Sequence, residues 1–136
     1  MKNSYHLLVG LTMAFGLLSQ SNGAGIPKRQ ENIFGTWVND DPNTRNIAKV
    51  IVLNDYTSGL QAHAFGACTP SPCDWGVVGL KTTNQWKYSA IYDFSATSSY
   101  RRIVTLYFFF LNGKLTLSKV EGTSYDSQII EKFHRQ

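Results

Sequence analysis

The segment from His63 to Trp75 concentrates side chains that bind metals, form disulfides or stack on flat ligands. Imidazole, thiolate and carboxylate groups ligate Zn²⁺ in tetrahedral sites, and this segment supplies them from His63, Cys68, Cys73 and Asp74. The chain has only 2 cysteines, and in an oxidising compartment such a pair forms a disulfide. We therefore expect a Cys68–Cys73 disulfide and no metal.

Asp74 and Trp75 follow Cys73 directly, so the disulfide would hold an acidic and an aromatic side chain at one loop. Such a pair suits a binding rim on which a sugar or another flat ligand stacks. The alternative is that Trp75 belongs to the core and that Asp74 completes an Asx-type turn. His63 faces outward if Ala62 and Ala64 face the core, and into a cavity if the faces are reversed.

Aromatic residues recur with a period of two between Trp86 and Phe94, and this period places them on one face of a β-strand. Tyr107, on a later segment, extends the set. These side chains either line an internal cavity or fill a solid core, since a small barrel has room for either arrangement. The candidate ligand-binding residues are His63, Asp74, Trp75, Trp86, Tyr88, Tyr92 and Tyr107.

No motif for nucleophilic catalysis, phosphate binding or dinucleotide binding occurs in the chain. Asp74, Asp93 and Glu131 could converge from distant segments, so the sequence leaves catalysis open but favours binding without a cofactor. The net charge of +4 is scattered over short basic pairs such as Arg101-Arg102. Nucleic-acid recognition requires a clustered basic face, and we do not expect it.

The segments that must position these residues are rich in β-branched and aromatic residues and are separated by turn residues. Eight strands are predicted, joined by short connections that favour antiparallel neighbours: Phe34–Asn39, Ile47–Leu53, Leu60–Ala67, Trp75–Leu80, Trp86–Phe94, Tyr100–Leu111, Lys114–Val120 and Gln128–His134. Asn112-Gly113 predicts a type I′ hairpin turn. The pattern favours an all-β, eight-stranded antiparallel up-and-down barrel, with a two-sheet β-sandwich as the alternative.

The N-terminus has the order of features expected of a secretory signal peptide. Lys2 precedes the apolar run from Leu7 to Leu18, and small residues follow it. This run is too short for a transmembrane helix, which needs about 20 residues. We predict a signal peptide over 1–23, a flexible leader over 24–32 and a single domain over 33–136, and thus a secreted or periplasmic protein without membrane insertion after cleavage.

Gly35-Thr36-Trp37, on the first predicted strand, resembles the Gly-x-Trp motif that opens the barrels of the calycin superfamily, which includes lipocalins and avidins. The resemblance implies that Trp37 closes one end of the barrel. It also implies that an arginine near the C-terminus, here Arg135, packs over the tryptophan. The chain lacks the length and the C-terminal helix of lipocalins, and its other tryptophans do not match an avidin pocket, so biotin binding is not implied.

Val104, Phe108 and Phe110 alternate with Tyr107 and Phe109, so one row of large apolar groups lies opposite the other. An exposed row of this kind marks a protein contact, and we predict a homodimer through this strand if it is not covered.

The leading hypothesis is a barrel that binds a small hydrophobic or aromatic ligand. The alternatives are an interaction module for a protein or glycan, without an interior site, and a carboxylate-based hydrolase.

Overall fold

Nine β-strands make up the part of the chain that the computed structural model describes, which comprises residues 32–96, 102–122 and 127–136. They are β1 (Gly35–Asn39), β2 (Ile47–Asp55), β3 (Gly59–Gly66), β4 (Cys73–Gly79), β5 (Lys81–Asn84), β6 (Lys87–Asp93), β7 (Ile103–Leu111), β8 (Lys114–Glu121) and β9 (Ile129–Arg135). Within these ranges, no helix is long and apolar enough to cross a membrane. The predicted signal peptide, and the leader apart from Asn32, lie outside the described residues.

All the strands belong to one antiparallel sheet in the order β4-β3-β2-β1-β9-β8-β7-β6-β5. Consecutive strands therefore lie side by side, except for β4 and β5, and β1 also pairs with β9. The two edge strands, β4 and β5, follow one another in the chain, and β4 approaches β6. The result is the predicted all-β, up-and-down architecture, a nearly closed barrel.

The prediction of eight strands is wrong, because Lys81–Asn84, which lies between two of the predicted strands, is itself a strand. β5 pairs with β6, with Lys81 opposite Ser89. All four residues of β5 are exposed, so the strand has no apolar alternation that sequence reasoning could detect. Leu80, which is buried, separates β5 from β4, and its N–H donates to the carbonyl oxygen of Leu60 over 2.8 Å.

The two-residue period of β6 is confirmed, since Tyr88, Ala90 and Tyr92 are all buried inside the barrel. Ala62 and Ala64 are also fully buried. His63, which lies between them on β3, is therefore on the outer face, and the alternative that places it in a cavity is wrong.

The two faces of β7 differ in burial, one pointing into the barrel and the other outward. Phe108 and Phe110 are buried inside the barrel, at 0% and 3% exposure. Tyr107 and Phe109 lie on the outer face, where the ammonium group of Lys87 is 4.9 Å and 5.5 Å from their ring centroids. Phe108 and Phe110 therefore cannot form a partner surface, whereas dimerisation through the outer face of β7 stays a prediction.

The hairpin predicted at Asn112-Gly113 is confirmed. Leu111 pairs with Lys114 across the turn. Asn112 and Gly113 have φ values of 52° and 73°, and positive φ at both central positions is what a type I′ turn requires.

Trp37 is buried near one end of the barrel, which we call the Trp37 end. Its side chain is 1% exposed, and its indole Nε1–H donates to the carbonyl oxygen of Ile33 over 3.0 Å. The guanidinium of Arg135 lies 4.5 Å from the Trp37 ring centroid and also donates to the carbonyl oxygens of Phe34 and Asn32. Gly35 has a φ of 118°, and a Cβ there would lie 2.9 Å from Nη1 of Arg135.

The opposite end of the barrel, which we call the disulfide end, contains the β1–β2 loop (residues 40–46) and the β3–β4 loop. Cys68 and Cys73 form the predicted disulfide in the β3–β4 loop, with a Cα–Cα distance of 5.4 Å. A disulfide is consistent with an extracellular or periplasmic location.

Candidate functional site

The β1–β2 loop at the disulfide end is fastened where it leaves and re-enters the sheet. Asn39, at the end of β1, is buried, and its side-chain amide donates to the carbonyl oxygen of Ile47 over 2.8 Å. Its side-chain oxygen accepts a hydrogen bond from the N–H of Asp41, also over 2.8 Å. One buried amide therefore holds both ends of the loop.

Two charged side chains on β8 and β9 hold the second half of this loop. The carboxylate of Glu131 accepts hydrogen bonds from the hydroxyl of Thr44 and, over 3.3 Å, from the N–H of Ile47. The ammonium of Lys119 donates to the side-chain oxygen of Asn46 over 3.0 Å. Lys119 is only 8% exposed. Thr44 and Asn46 are thus both fixed by contacts with the barrel wall.

Charges at the disulfide end form a small network. Glu121 accepts a hydrogen bond from Arg102 over 2.7 Å, and the ammonium of Lys119 lies 3.8 Å from the same carboxylate. The hydrogen bond from Arg102 holds the pKa of Glu121 below its usual value. Since about half of the Arg102 side chain is exposed, solvent screens this pair, and it contributes little stability.

The β3–β4 loop lies against the β1–β2 loop. The N–H of Ala67 donates to the carbonyl oxygen of Asn46 over 2.8 Å, and the pairing of Gly66 with Cys73 aligns the start of β4. The Cys68–Cys73 disulfide closes the intervening turn. The two loops are therefore joined by backbone hydrogen bonding as well as by the strands that carry them.

A cleft of about 430 Å³ separates the exposed parts of the two loops. It is lined by proline and alanine carbons together with polar side chains, from Pro42, Asn43, Thr44, Arg45, Ala48, Ala67, Cys68, Thr69 and Pro72. Arg45 differs from the other two arginines of the described ranges. Arg102 pairs with an acidic residue and Arg135 packs on Trp37, whereas none of the ion pairs among the described residues involves Arg45. The cleft thus combines apolar walls, neutral hydrogen-bonding groups and one cation.

An aromatic cluster packs against the barrel core near the disulfide end. The ring of Trp75 contacts those of Tyr92 and Phe94 edge-on, at centroid distances of 5.5 Å and 5.2 Å. Trp75 also lies against Gly66, where a Cβ would be 2.6 Å from the indole Nε1. The structure therefore brings together two of the predicted ligand-binding residues, Trp75 and Tyr92, as packed core aromatics.

His63 and Asp74 also lie together, but on the outer surface of β3 and β4. His63 Nε2 is 2.6 Å from Asp74 Oδ1, and the same oxygen accepts a hydrogen bond from the N–H of Gly76 over 2.7 Å. The hydrogen bond from the Gly76 N–H is the main cause that lowers the pKa of Asp74, and the hydrogen bond with the His63 side chain is the second. The His63 ring stacks on Phe65, with centroids 4.3 Å apart.

The remaining predicted ligand-binding residues lie apart from this end. Trp86 is 52% exposed at the Trp37 end, Tyr88 is buried inside the barrel, and Tyr107 is on the outer face of β7. The predicted set is therefore divided among the interior, the outer surface and both ends.

Sequence reasoning missed the residues that shape the cleft, above all Arg45, Asn46 and Lys119. A signal existed for Lys119, because the period of two that buries Leu115 and Leu117 continues to position 119. No comparable signal exists for Arg45 and Asn46, which lie in a polar turn without periodicity.

No three histidine, cysteine, aspartate or glutamate residues in the described ranges lie close enough together to hold a metal ion. Asp93 and Glu131 are on different strands at the disulfide end, and Asp74 is on the outer face.

No protein-family model, no curated protein and no solved structure matches this chain. The nearly closed barrel is compatible with a calycin-like fold, but no relative confirms that family.

Proposed function

We propose that this protein binds a small ligand at the disulfide end of its barrel, in the cleft between the β1–β2 and β3–β4 loops. The cleft carries this proposal, because its volume of about 430 Å³ falls in the range typical of small-molecule sites, roughly 300–1,000 Å³. Its polar groups also fix an orientation, while Pro42, Ala48 and Pro72 provide apolar contact for a hydrophobic or aromatic body.

The rigidity of the cleft walls supports this location. Asn39, Glu131 and Lys119 hold the β1–β2 loop, and the disulfide holds the β3–β4 loop. A preformed site loses little conformational freedom when a ligand binds. The ligand therefore meets a surface whose shape is set before binding.

The packing of the interior also favours a site at the mouth over one deep in the barrel. The largest fully buried side chains include Trp37, Tyr88, Tyr92, Phe108 and Phe133. Trp37, Tyr88 and Phe108 all contact Phe110, with ring centroids 5.3–6.3 Å apart. Since such rings occupy the space that an internal ligand needs, the ligand binds beside the core.

We also infer a calycin-like architecture and export from the cell. The packing of Arg135 over Trp37 and the nearly closed barrel support the first inference. The disulfide and the apolar N-terminal run support the second. N-terminal sequencing of the protein recovered from the medium or periplasm would test export, since a first residue near Ala24 is expected.

The ligand site is tested by two-dimensional NMR of the purified protein with a library of small neutral, acidic and basic fragments. We expect saturable shifts of the backbone amides of Ala48, Ala67 and Thr69. Native mass spectrometry of the same protein, compared with its denatured mass, would identify a ligand that co-purifies. If no fragment shifts these amides, the cleft is not a ligand site.

A second candidate function is that of a rigid interaction module without an interior site, and the filled core is the observation that favours it. In that case a protein or glycan partner would contact the outer surface, for example the exposed disulfide loop. Sedimentation analysis over a range of concentrations would detect the homodimer predicted through β7. A concentration-dependent dimer with an inert cleft would favour this second function.

A further inference from the structure

Arg45 is the cation of the cleft and is available to a ligand. Its side chain is exposed, it lines the cleft, and none of the ion pairs in the described ranges uses it. Asp41, in the same loop, accepts a hydrogen bond from the N–H of Asn43. With respect to the described residues, the guanidinium thus retains its hydrogen-bond donors for a group that enters from solvent.

The neighbours of Arg45 fix its position. The hydroxyl of Thr44 is bonded to Glu131, and the side-chain oxygen of Asn46 is bonded to Lys119. Both partners belong to the barrel wall, so the backbone on each side of Arg45 is held. The guanidinium is therefore presented to the cleft from a fixed backbone position, whereas the side chains beside it are turned toward the barrel.

The charge and shape of the cleft select among anions. A guanidinium offers two parallel N–H donors that match the two oxygens of a carboxylate. One cation balances the single charge of a carboxylate but leaves a dianionic phosphate under-compensated. The other polar lining groups, those of Asn43, Thr44 and Thr69, are neutral, and the walls of Pro42 and Pro72 suit an apolar body.

We infer that the cleft binds the carboxylate of a small organic acid, with Arg45 holding the carboxylate. This inference rests on the proposed function, because it names the ligand class of the same cleft. The apolar part of the acid lies against the prolines and alanines of the two loops. Thr69, on the disulfide loop, supplies a hydroxyl from the second of the two loops that line the cleft.

The test compares benzoate, benzamide and inorganic phosphate in NMR titrations of the purified protein. Benzamide has the shape of benzoate without its charge. We expect benzoate to shift the amides of Ala48 and Ala67 at concentrations at least about tenfold lower than benzamide or phosphate, since hydrogen bonds to charged groups are the stronger ones.

Variants assign the effect to Arg45. Arg45→Gln is expected to weaken benzoate binding about tenfold or more, and Arg45→Lys to restore only part of it because the planar fork is lost. Lys114→Gln, at the Trp37 end, changes the net charge by the same amount and should leave benzoate binding unchanged.

Three results would overturn the inference: equal binding of benzamide and benzoate, tighter binding of phosphate than of benzoate, or unchanged benzoate binding by Arg45→Gln. If neutral fragments bind the cleft while benzoate does not, the ligand class is wrong and the proposed site stands. If no fragment of any charge binds, the proposed site fails as well.

Discussion

The hydroxyl oxygen of Tyr92, on β6, accepts a hydrogen bond from the backbone N–H of Ala64, on β3, over 3.1 Å. The same hydroxyl donates to the carbonyl oxygen of Ala62 over 2.9 Å. The register of β3 with β4 shifts between His63 and Phe65, so Ala64 has no residue opposite it on β4, whereas Ala62 lies opposite Val78. The Tyr92 hydroxyl therefore links β6, which neighbours the edge strand β5, to β3, which neighbours the edge strand β4, and joins the two sides of the gap in the nearly closed barrel.

Tyr92→Phe is expected to lower the free energy of unfolding by about 1–3 kcal/mol, because it leaves a buried N–H and a buried carbonyl without a partner. Urea unfolding monitored by fluorescence measures the change. Tyr56→Phe is the matched control, since Tyr56 is fully exposed, and it should change stability by less than about 0.5 kcal/mol. Equal effects of the two substitutions would contradict the role of Tyr92 as a bridge.

Trp37→Ala is expected to destabilise the protein by about 3–5 kcal/mol, the usual cost when a large aromatic side chain is removed from a core. The same change at Trp86, which is 52% exposed, serves as the control and should cost less than about 1 kcal/mol. Thermal or denaturant unfolding gives both values. A small effect at Trp37 would mean that it does not close its end of the barrel.

The Cys68–Cys73 disulfide predicts that the denatured, non-reduced protein contains no thiol that reacts with a labelling reagent. Replacing both cysteines with serine should cost on the order of 2 kcal/mol, since the bridge closes only a short loop. Mass spectrometry after alkylation, and unfolding of the double variant, are the measurements. Two alkylated cysteines without reductant would refute the bridge.

The pKa of Asp74 is expected to lie below its ordinary value of 3.8, chiefly because the Gly76 N–H donates to the carboxylate. A lower pKa in the folded state means that this interaction stabilises the fold fully above the ordinary value of 3.8, and that this stabilisation is lost as the pH falls through the folded-state pKa. Carboxyl ¹³C NMR titration measures it.

His63→Ala should raise the pKa of Asp74 only in part, since the bond from Gly76 remains. His134→Ala is the control, because His134 pairs with a different carboxylate, that of Asp40, over 2.6 Å. A wild-type pKa at or above 3.8 would contradict the hydrogen-bonding pattern around Asp74.

Much of the fold could be predicted because each strand that faces the core carries a local pattern. Tyr88, Ala90 and Tyr92 show a period of two, and Asn112-Gly113 has the turn chemistry of a hairpin. β5 could not be predicted in this way, since all its side chains are exposed and only backbone pairing with β6 makes it a strand.

The candidate site was less predictable, because its geometry depends on contacts between distant parts of the chain. Thr44 and Glu131 are 87 positions apart, and Asn46 and Lys119 are 73 positions apart. No local pattern reports such pairs. The disulfide was accessible to sequence reasoning because its two cysteines are close in sequence and are the only ones present.

The pairing of β1 with β9 constrains the order in which the protein can acquire its native form. Trp37 lies opposite Arg135 in this ladder, so the first strand finds one of its two partners only after almost the whole domain has been synthesised. Until then β1 and β8 each expose an unpaired edge, which is a template for intermolecular association. Contacts of such long sequence separation also slow folding. A nascent chain that stalls before β9 is therefore prone to aggregate. A molecule that binds the open edges of β1 and β8 at this stage would prevent that association until β9 pairs with them.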